Sequence, residues 1–156
     1  MANQTIKMTV KDIVNKLIAD EWIAEFTYCH VAYVLKGTAL DTAVKLFKHI
    51  AEEEKEHKEE LITWMQSKNY PVILNPVQML GNCNPSGKFN PFSDPTTTLD
   101  AVKNQIKSEI NAKNMYTLYY KAVKDLYPDL AFKFMHIANE EAEHRVELED
   151  LLSQIQ

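Results

Sequence analysis

Residues 70–97 read YPVILNPVQMLGNCNPSGKFNPFSDPTT, and this stretch decides the architecture. The chain of 156 residues holds only three Gly and six Pro. Seven of these nine (Pro71, Pro76, Gly81, Pro85, Gly87, Pro91 and Pro95) fall inside the stretch, while Gly37 and Pro128 stand alone. Helix breakers are therefore missing from four long segments and concentrated in three gaps. An all-β fold, with its many Gly-dependent turns, does not suit this distribution.

Outward from the stretch, apolar residues recur at helical spacing. Towards the N-terminus they run from about 10 to 36 through Ile13, Leu17, Ala24, Tyr28, Val31 and Leu35. A second run spans about 41–68 through Val44, Phe47, Ile50, Leu61 and Met65. Towards the C-terminus one helix is expected over about 98–126 (Val102, Ile106, Tyr116, Val123). The last is expected over 128–155 (Leu130, Phe134, Ile137, Leu148, Leu151, Ile155). Thr9 with Asp12 three residues on is a plausible N-cap, Gly37 a stop, Thr98 a cap for the third helix and Pro128 a first-turn residue of the fourth.

Each helix of ~27 residues is roughly 40 Å long. The short connections make each pair an antiparallel hairpin. The connection at 70–97 far exceeds the usual ~4–6 residues and can travel the length of a bundle. The expectation is one all-α domain over 1–156: a four-helix bundle of two antiparallel hairpins joined by a long crossover. A disordered linker between separate hairpins is the alternative, but neither hairpin alone could bury its apolar face.

The charge is −5, with 22 acidic against 17 basic residues, and 46% of residues are apolar. No Lys/Arg block points to nucleic acid, and no apolar run is long enough to span a membrane. Neither a basic region nor an apolar core opens the chain, so no signal peptide is visible. Cys29 and Cys83 form no CxxC motif. These features lead us to expect a cytoplasmic protein.

The informative residues interrupt the apolar stripes. Glu21 lies four after Leu17, Glu54 four after Ile50, and His57 four before Leu61. Glu109 lies three after Ile106, while Glu141 and His144 continue the stripe of the last helix. Unpartnered buried carboxylates are costly. The spacing also repeats: Glu54 is 33 residues after Glu21, and Glu141 is 32 after Glu109. Each hairpin thus carries one lone Glu and one Glu-x-x-His, whose carboxylate and imidazole share a helix face. Facing halves give two metal positions, and two divalent ions balance four carboxylates. The other acidic residues (Glu52, Glu53, Glu56, Glu59, Glu60, Glu140, Glu143, Glu147) are expected mostly on solvated faces.

These residues resemble the ferritin-like carboxylate di-iron family, and bacterioferritin in particular. Asp20-Glu-Trp-Ile-Ala-Glu-Phe-Thr-Tyr28 is similar to its first-helix ligand segment, and the interval to the first Glu-x-x-His also matches. The likeness covers 10–155. It implies that Glu21, Glu54, His57, Glu109, Glu141 and His144 hold two Fe ions per subunit, with Mn or Zn as substitutes. It further implies a weaker iron site at His49 and Glu53, and an electron-donating role for Tyr28, whose alternative is a core tyrosine bonded to a ligand carboxylate. Tyr116, Tyr119 and Tyr120 are expected to pack. Lys55 stands where bacterioferritin has its haem-ligating Met, so haem is not expected there. The twelve residues after His144 leave no room for a fifth helix.

That shortening resembles the twelve-subunit Dps-like mini-ferritins and implies a homo-oligomeric cage, a dodecamer over a 24-mer. Some of those proteins carry a cysteine pair beside the metal site, which makes Cys29 and Cys83 candidates for one. The alternative for Cys29 is a small helix-face residue. The implied activity is a ferroxidase, oxidising Fe(II) with O2 or H2O2 for iron storage, detoxification and protection from oxidative stress. A rubrerythrin-like di-metal peroxidase and a metal-free helical module are the alternatives.

Overall fold

Thr9 opens the first helix through a capping box: its Oγ1 accepts from the Asp12 amide at 3.2 Å, and the Asp12 carboxylate accepts from the Thr9 amide at 3.2 Å. The structure, a computed structural model, describes residues 8–35, 40–84 and 97–156. Its helices are α1 (Val10–Val34), α2 (Leu40–Ser67), α3 (Pro76–Asn82), α4 (Thr98–Val123) and α5 (Pro128–Ile155). The expected stop at Gly37 and the breakers from Pro85 to Pro95 lie outside the described residues.

The four long helices are α1, α2, α4 and α5, and α1 packs mainly on α2 as α4 does on α5. Three details differ from the expectation. Thr97, not Thr98, caps α4, because its side chain accepts from the Asp100 amide at 3.1 Å while Thr98 is already helical and buried. The α4 helix ends at Val123, three residues early. A fifth helix does exist, although it lies inside the crossover and not after the last long helix. Asn75 caps this α3 by accepting from Val77 and Gln78, Pro76 occupies its first turn, and Met79 is buried against the bundle.

The chain leaves α2 through Asn69, which adopts a φ of 56°. The Asn69 amide donates to Gln66 O and the Tyr70 amide to Met65 O, so Asn serves here as the left-handed residue of a Schellman-type stop. The crossover is then fixed onto α1. Asn15 donates to Pro71 O and accepts from the Ile73 amide, and Lys16 Nζ donates to Asn82 O. Asp20 accepts from both the amide and the side chain of Asn84, each at 2.8 Å, and Tyr119 donates to Asn84 Oδ1 at 2.6 Å.

The apolar core comes in two parts. One holds Leu17, Leu61, Met65, Tyr116, Phe134 and Ile137; the other holds Tyr28, Phe47, Ile50, Val102, Leu148 and Leu151. Both bury their side chains almost fully. The layer between them is polar. No helix among the described residues is long and apolar enough to cross a membrane.

Candidate metal centre

Each long helix delivers acid to that layer. Helix α1 supplies Glu21, α2 supplies Glu54 and His57, α4 supplies Glu109, and α5 supplies Glu141 and His144, all between 1% and 2% exposed. The i, i+3 spacing of each Glu-x-x-His turns carboxylate and imidazole inward together. His57 Nδ1 lies 3.1 Å from Glu141 Oε1, 3.6 Å from Glu21 Oε2 and 3.7 Å from Glu54 Oε2. His144 Nδ1 lies 3.1 Å from Glu54 Oε1 and 3.6 Å from Glu109 Oε2. Two four-residue groups result, Glu21–Glu54–His57–Glu141 and Glu54–Glu109–Glu141–His144, with donor atoms within 4.8 Å of one another. Glu54 and Glu141 belong to both.

The hydrogen bonds around the layer leave a specific set of atoms unserved. Tyr116 donates to Glu21 Oε1 and Tyr28 donates to Glu109 Oε1. Glu21 Oε2, Glu109 Oε2, both oxygens of Glu54, Glu141 Oε1 and the Nδ1 atoms of His57 and His144 are buried without a hydrogen-bond partner. Buried polar atoms are rarely left this way. All seven belong to the six residues singled out by the sequence pattern. Their chemistry, carboxylate oxygens with one imidazole nitrogen per group, fits divalent first-row cations.

The electrostatics agree. Burial, then the charge of Glu54, pushes Glu21 up to about 8. Burial acts to raise Glu54 as well, but the neighbouring Glu21 carboxyl and the two imidazoles outweigh it, and its pKa falls. Glu141 is raised well above the carboxylate range by burial and the charges of Glu54 and Glu109. For His144, burial opposes the charged ring, yet Glu109 and Glu54 prevail and push it up to about 12; His57 is raised further, against burial, by Glu141, Glu21 and Glu54. Without a cation the layer holds protons, which a cation must displace. Burial, followed by the charges of Glu109 and Glu21 respectively, raises Tyr28 and Tyr116 well above 10, so both remain donors.

Two acidic residues expected on solvated faces take part. Glu140 Oε2 lies 2.5 Å from His57 Nε2, and Glu53 Oε2 lies 2.5 Å from His144 Nε2. A carboxylate at Nε2 keeps the proton there, so that Nδ1, which faces the layer, is the nitrogen a cation would deprotonate and bind, the usual way of orienting a ligating imidazole. The sequence carried a signal for them. Residues 49–57 (HIAEEEKEH) and 136–144 (HIANEEAEH) agree at seven of nine positions, Glu53 and Glu140 included. Tyr116, expected to pack, is a partner of Glu21 as Tyr28 is of Glu109, and Tyr119 bonds Asn84. His49, 3.5 Å from Glu53, lies outside the buried groups. Lys55 is exposed.

Both cysteines are free. Asp20 holds Asn84 beside Cys83, and Cys29 lies nine residues further along α1. That is about 13 Å of helix from Asp20 to Cys29, and no disulfide joins the two cysteines.

The sequence model of the ferritin-like domain family matches residues 11–156. The chain belongs to that family. Among solved structures, this ferritin-like chain is similar to a dodecameric thioferritin, the bacterioferritin-related protein of Bacteroides fragilis, at 22% identity and a TM-score of 0.83 over 93% of this chain and 84% of that one. It is also similar to Dps from Listeria monocytogenes, at 11% identity and a TM-score of 0.85 over 95% of this chain and 96% of that one. Staphylococcus aureus Dps matches at 12% identity with a TM-score of 0.83, over 97% and 98% of the two chains. Such low identities speak for a shared fold. No protein of curated function matches the sequence.

Proposed function

We propose that this ferritin-like chain is a ferroxidase that binds two Fe(II) per subunit as substrate and oxidises them together. The observation that carries this reading is the set of seven unpartnered buried donor atoms, grouped into two positions that share Glu54 and Glu141. Glu21 and His57 hold one ion, Glu109 and His144 the other, and Glu54 and Glu141 span both. Oxygen donors with a single imidazole per ion suit Fe(II) or Mn(II) and admit Zn(II) as a surrogate. Four carboxylates balance two divalent charges, which relieves the burial cost of the ion-free layer.

The pairing of ions sets the chemistry. Two Fe(II) surrender one electron each, so H2O2 with two protons is reduced to two waters without release of a one-electron radical. With O2 the same two electrons and two protons yield H2O2. Reduction of O2 to two waters takes four electrons and four protons: two electrons come from the Fe(II) pair, we assign the third to Tyr28, bonded to Glu109, and the fourth comes from a further Fe(II). The protein's part is to hold both ions side by side, keep the histidine tautomers fixed through Glu53 and Glu140, and exclude water with the two apolar layers.

We assign the chain to a cytoplasmic homo-oligomeric cage that stores or detoxifies iron, with twelve subunits as the reading that the dodecameric thioferritin of the same fold supports. Aerobic oxidation of Fe(II) tests the activity. The native chain should far outpace iron in buffer, and Glu54→Ala, which removes a carboxylate common to both positions, should fall back to the buffer rate. Equal rates in the two proteins would refute the reading.

A further inference from the structure

The seam between α2 and α5 carries two surface His–Glu pairs with matching geometry. On α2, His49 Nε2 lies 3.5 Å from Glu53 Oε1, and the other Glu53 oxygen lies 2.5 Å from His144 Nε2. On α5, His136 Nε2 lies 3.2 Å from Glu140 Oε1, and the other Glu140 oxygen lies 2.5 Å from His57 Nε2. The two imidazoles are 58% and 54% exposed and their carboxylates 33% and 32%. Each carboxylate therefore has one oxygen on an exposed ring and one on a buried ring.

An i, i+4 His–Glu pair alone is an ordinary helix-surface contact worth a few tenths of a kcal/mol. Two observations set these pairs apart. The first is the double contact of each carboxylate, outward and inward. The second is the internal repeat. Residues 49–57 and 136–144 share seven of nine positions, whereas the nine residues before each block share one and the nine after share two. Among the seven, Ile50/Ile137 and Ala51/Ala138 are core, and Glu54/Glu141 and His57/His144 face the metal positions. The surface pairs His49/His136 and Glu53/Glu140 are identical in the two blocks, as is Glu56/Glu143, but only the first two pairs make the double contact.

We infer that His136 and Glu140 form a transit site for a first-row divalent cation on α5, the counterpart of His49 and Glu53 on α2. Each metal position then has its own approach. Glu140 serves the position of His57 and Glu21, and Glu53 serves that of His144 and Glu109. One imidazole nitrogen and one carboxylate oxygen, completed by water, make a weak and exchangeable site, as transit requires. A cation bound between His136 and Glu140 would share a carboxylate whose other oxygen lies 2.5 Å from His57 Nε2. This inference rests on the two-ion reading of the buried layer.

Mn(II) binding to the assembled full-length chain, followed by the electron paramagnetic resonance of free Mn(II), tests it. The native protein should show two tight and two weak Mn(II) per chain. His136→Ala should lose one weak site and keep both tight ones, His49→Ala should do the same, and the double variant should keep the tight sites alone. His136→Gln, which preserves side-chain volume, should reproduce the loss and so separates it from misfolding. Unchanged weak binding in His136→Ala, with the tight sites intact, would overturn this inference and leave the buried centre standing. Absence of tight binding in the native chain would overturn both.

Discussion

Tyr28 and Glu109 meet across the bundle: the phenol on α1, seven residues after Glu21, donates to the carboxylate on α4. Tyr116 on α4, seven residues after Glu109, returns the bond to Glu21. One oxygen of each outer carboxylate is thereby occupied and the other buried without a hydrogen-bond partner. The reciprocity means that the two phenols do the same structural work.

Tyr28→Phe and Tyr116→Phe should therefore each destabilise the metal-free protein by about 1–3 kcal/mol, the cost of stranding a buried acceptor. Denaturant unfolding checks this. If Tyr28 also donates an electron, its variant alone should slow O2-driven turnover, so comparison of the two variants separates redox chemistry from structure.

Stability of the metal-free protein should fall as pH rises from about 4 to 8. Burial, then Glu54, raises Glu21 from 4.5 to about 8, and burial raises Asp20 from 3.8 to about 7. A carboxyl raised in the folded state favours folding fully below its unfolded pKa and loses that advantage as pH passes the folded one. The histidines act in the same direction above their ordinary 6.5. Cation binding should show the opposite trend, tightening with pH and releasing protons. Calorimetry of Zn(II) binding in buffers of different ionisation enthalpy measures that release.

Glu140→Ala and Glu53→Ala should each weaken cation binding by about 10–100-fold, because each frees the ring that its carboxylate orients. The loss should fall on one ion only. Zn(II) competition against a chromophoric chelator should resolve one weakened and one native-like site per chain.

Asp20→Ala should loosen the crossover without emptying the centre. It removes both acceptors of Asn84, two residues past α3, and leaves Lys16 on Asn82 O and Tyr119 on Asn84 Oδ1 as the remaining ties at that end. Hydrogen exchange should speed up at the α3 amides while those of α4 and α5 stay protected.

Much of this was legible because the physics is local. A glutamate on an apolar stripe is conspicuous, so Glu21, Glu54, Glu109 and Glu141 stood out by register alone. The bounds of α5 followed from Pro128 and an unbroken period. Glu53 and Glu140 were harder, since in an acidic helix a half-exposed glutamate looks solvated, and only the repeat of His-Ile-Ala-x-Glu-Glu-x-Glu-His distinguishes them. Helix α3 was hidden because its seven residues are too few for periodicity to register. Its signal was the Asn75–Pro76 cap. Tyr116 looked like packing because a hydroxyl's partner lies on another helix, which sequence order does not reveal.

The most direct measurement of the central claim is an anaerobic Fe(II) titration of the assembled protein, followed by a pulse of oxidant at each point. Fast oxidation should saturate at two Fe(II) per chain, with one H2O2 consumed for every two Fe(II). Saturation at one Fe(II) per chain, or no saturable fast phase, would contradict a paired-ion centre built on Glu54 and Glu141.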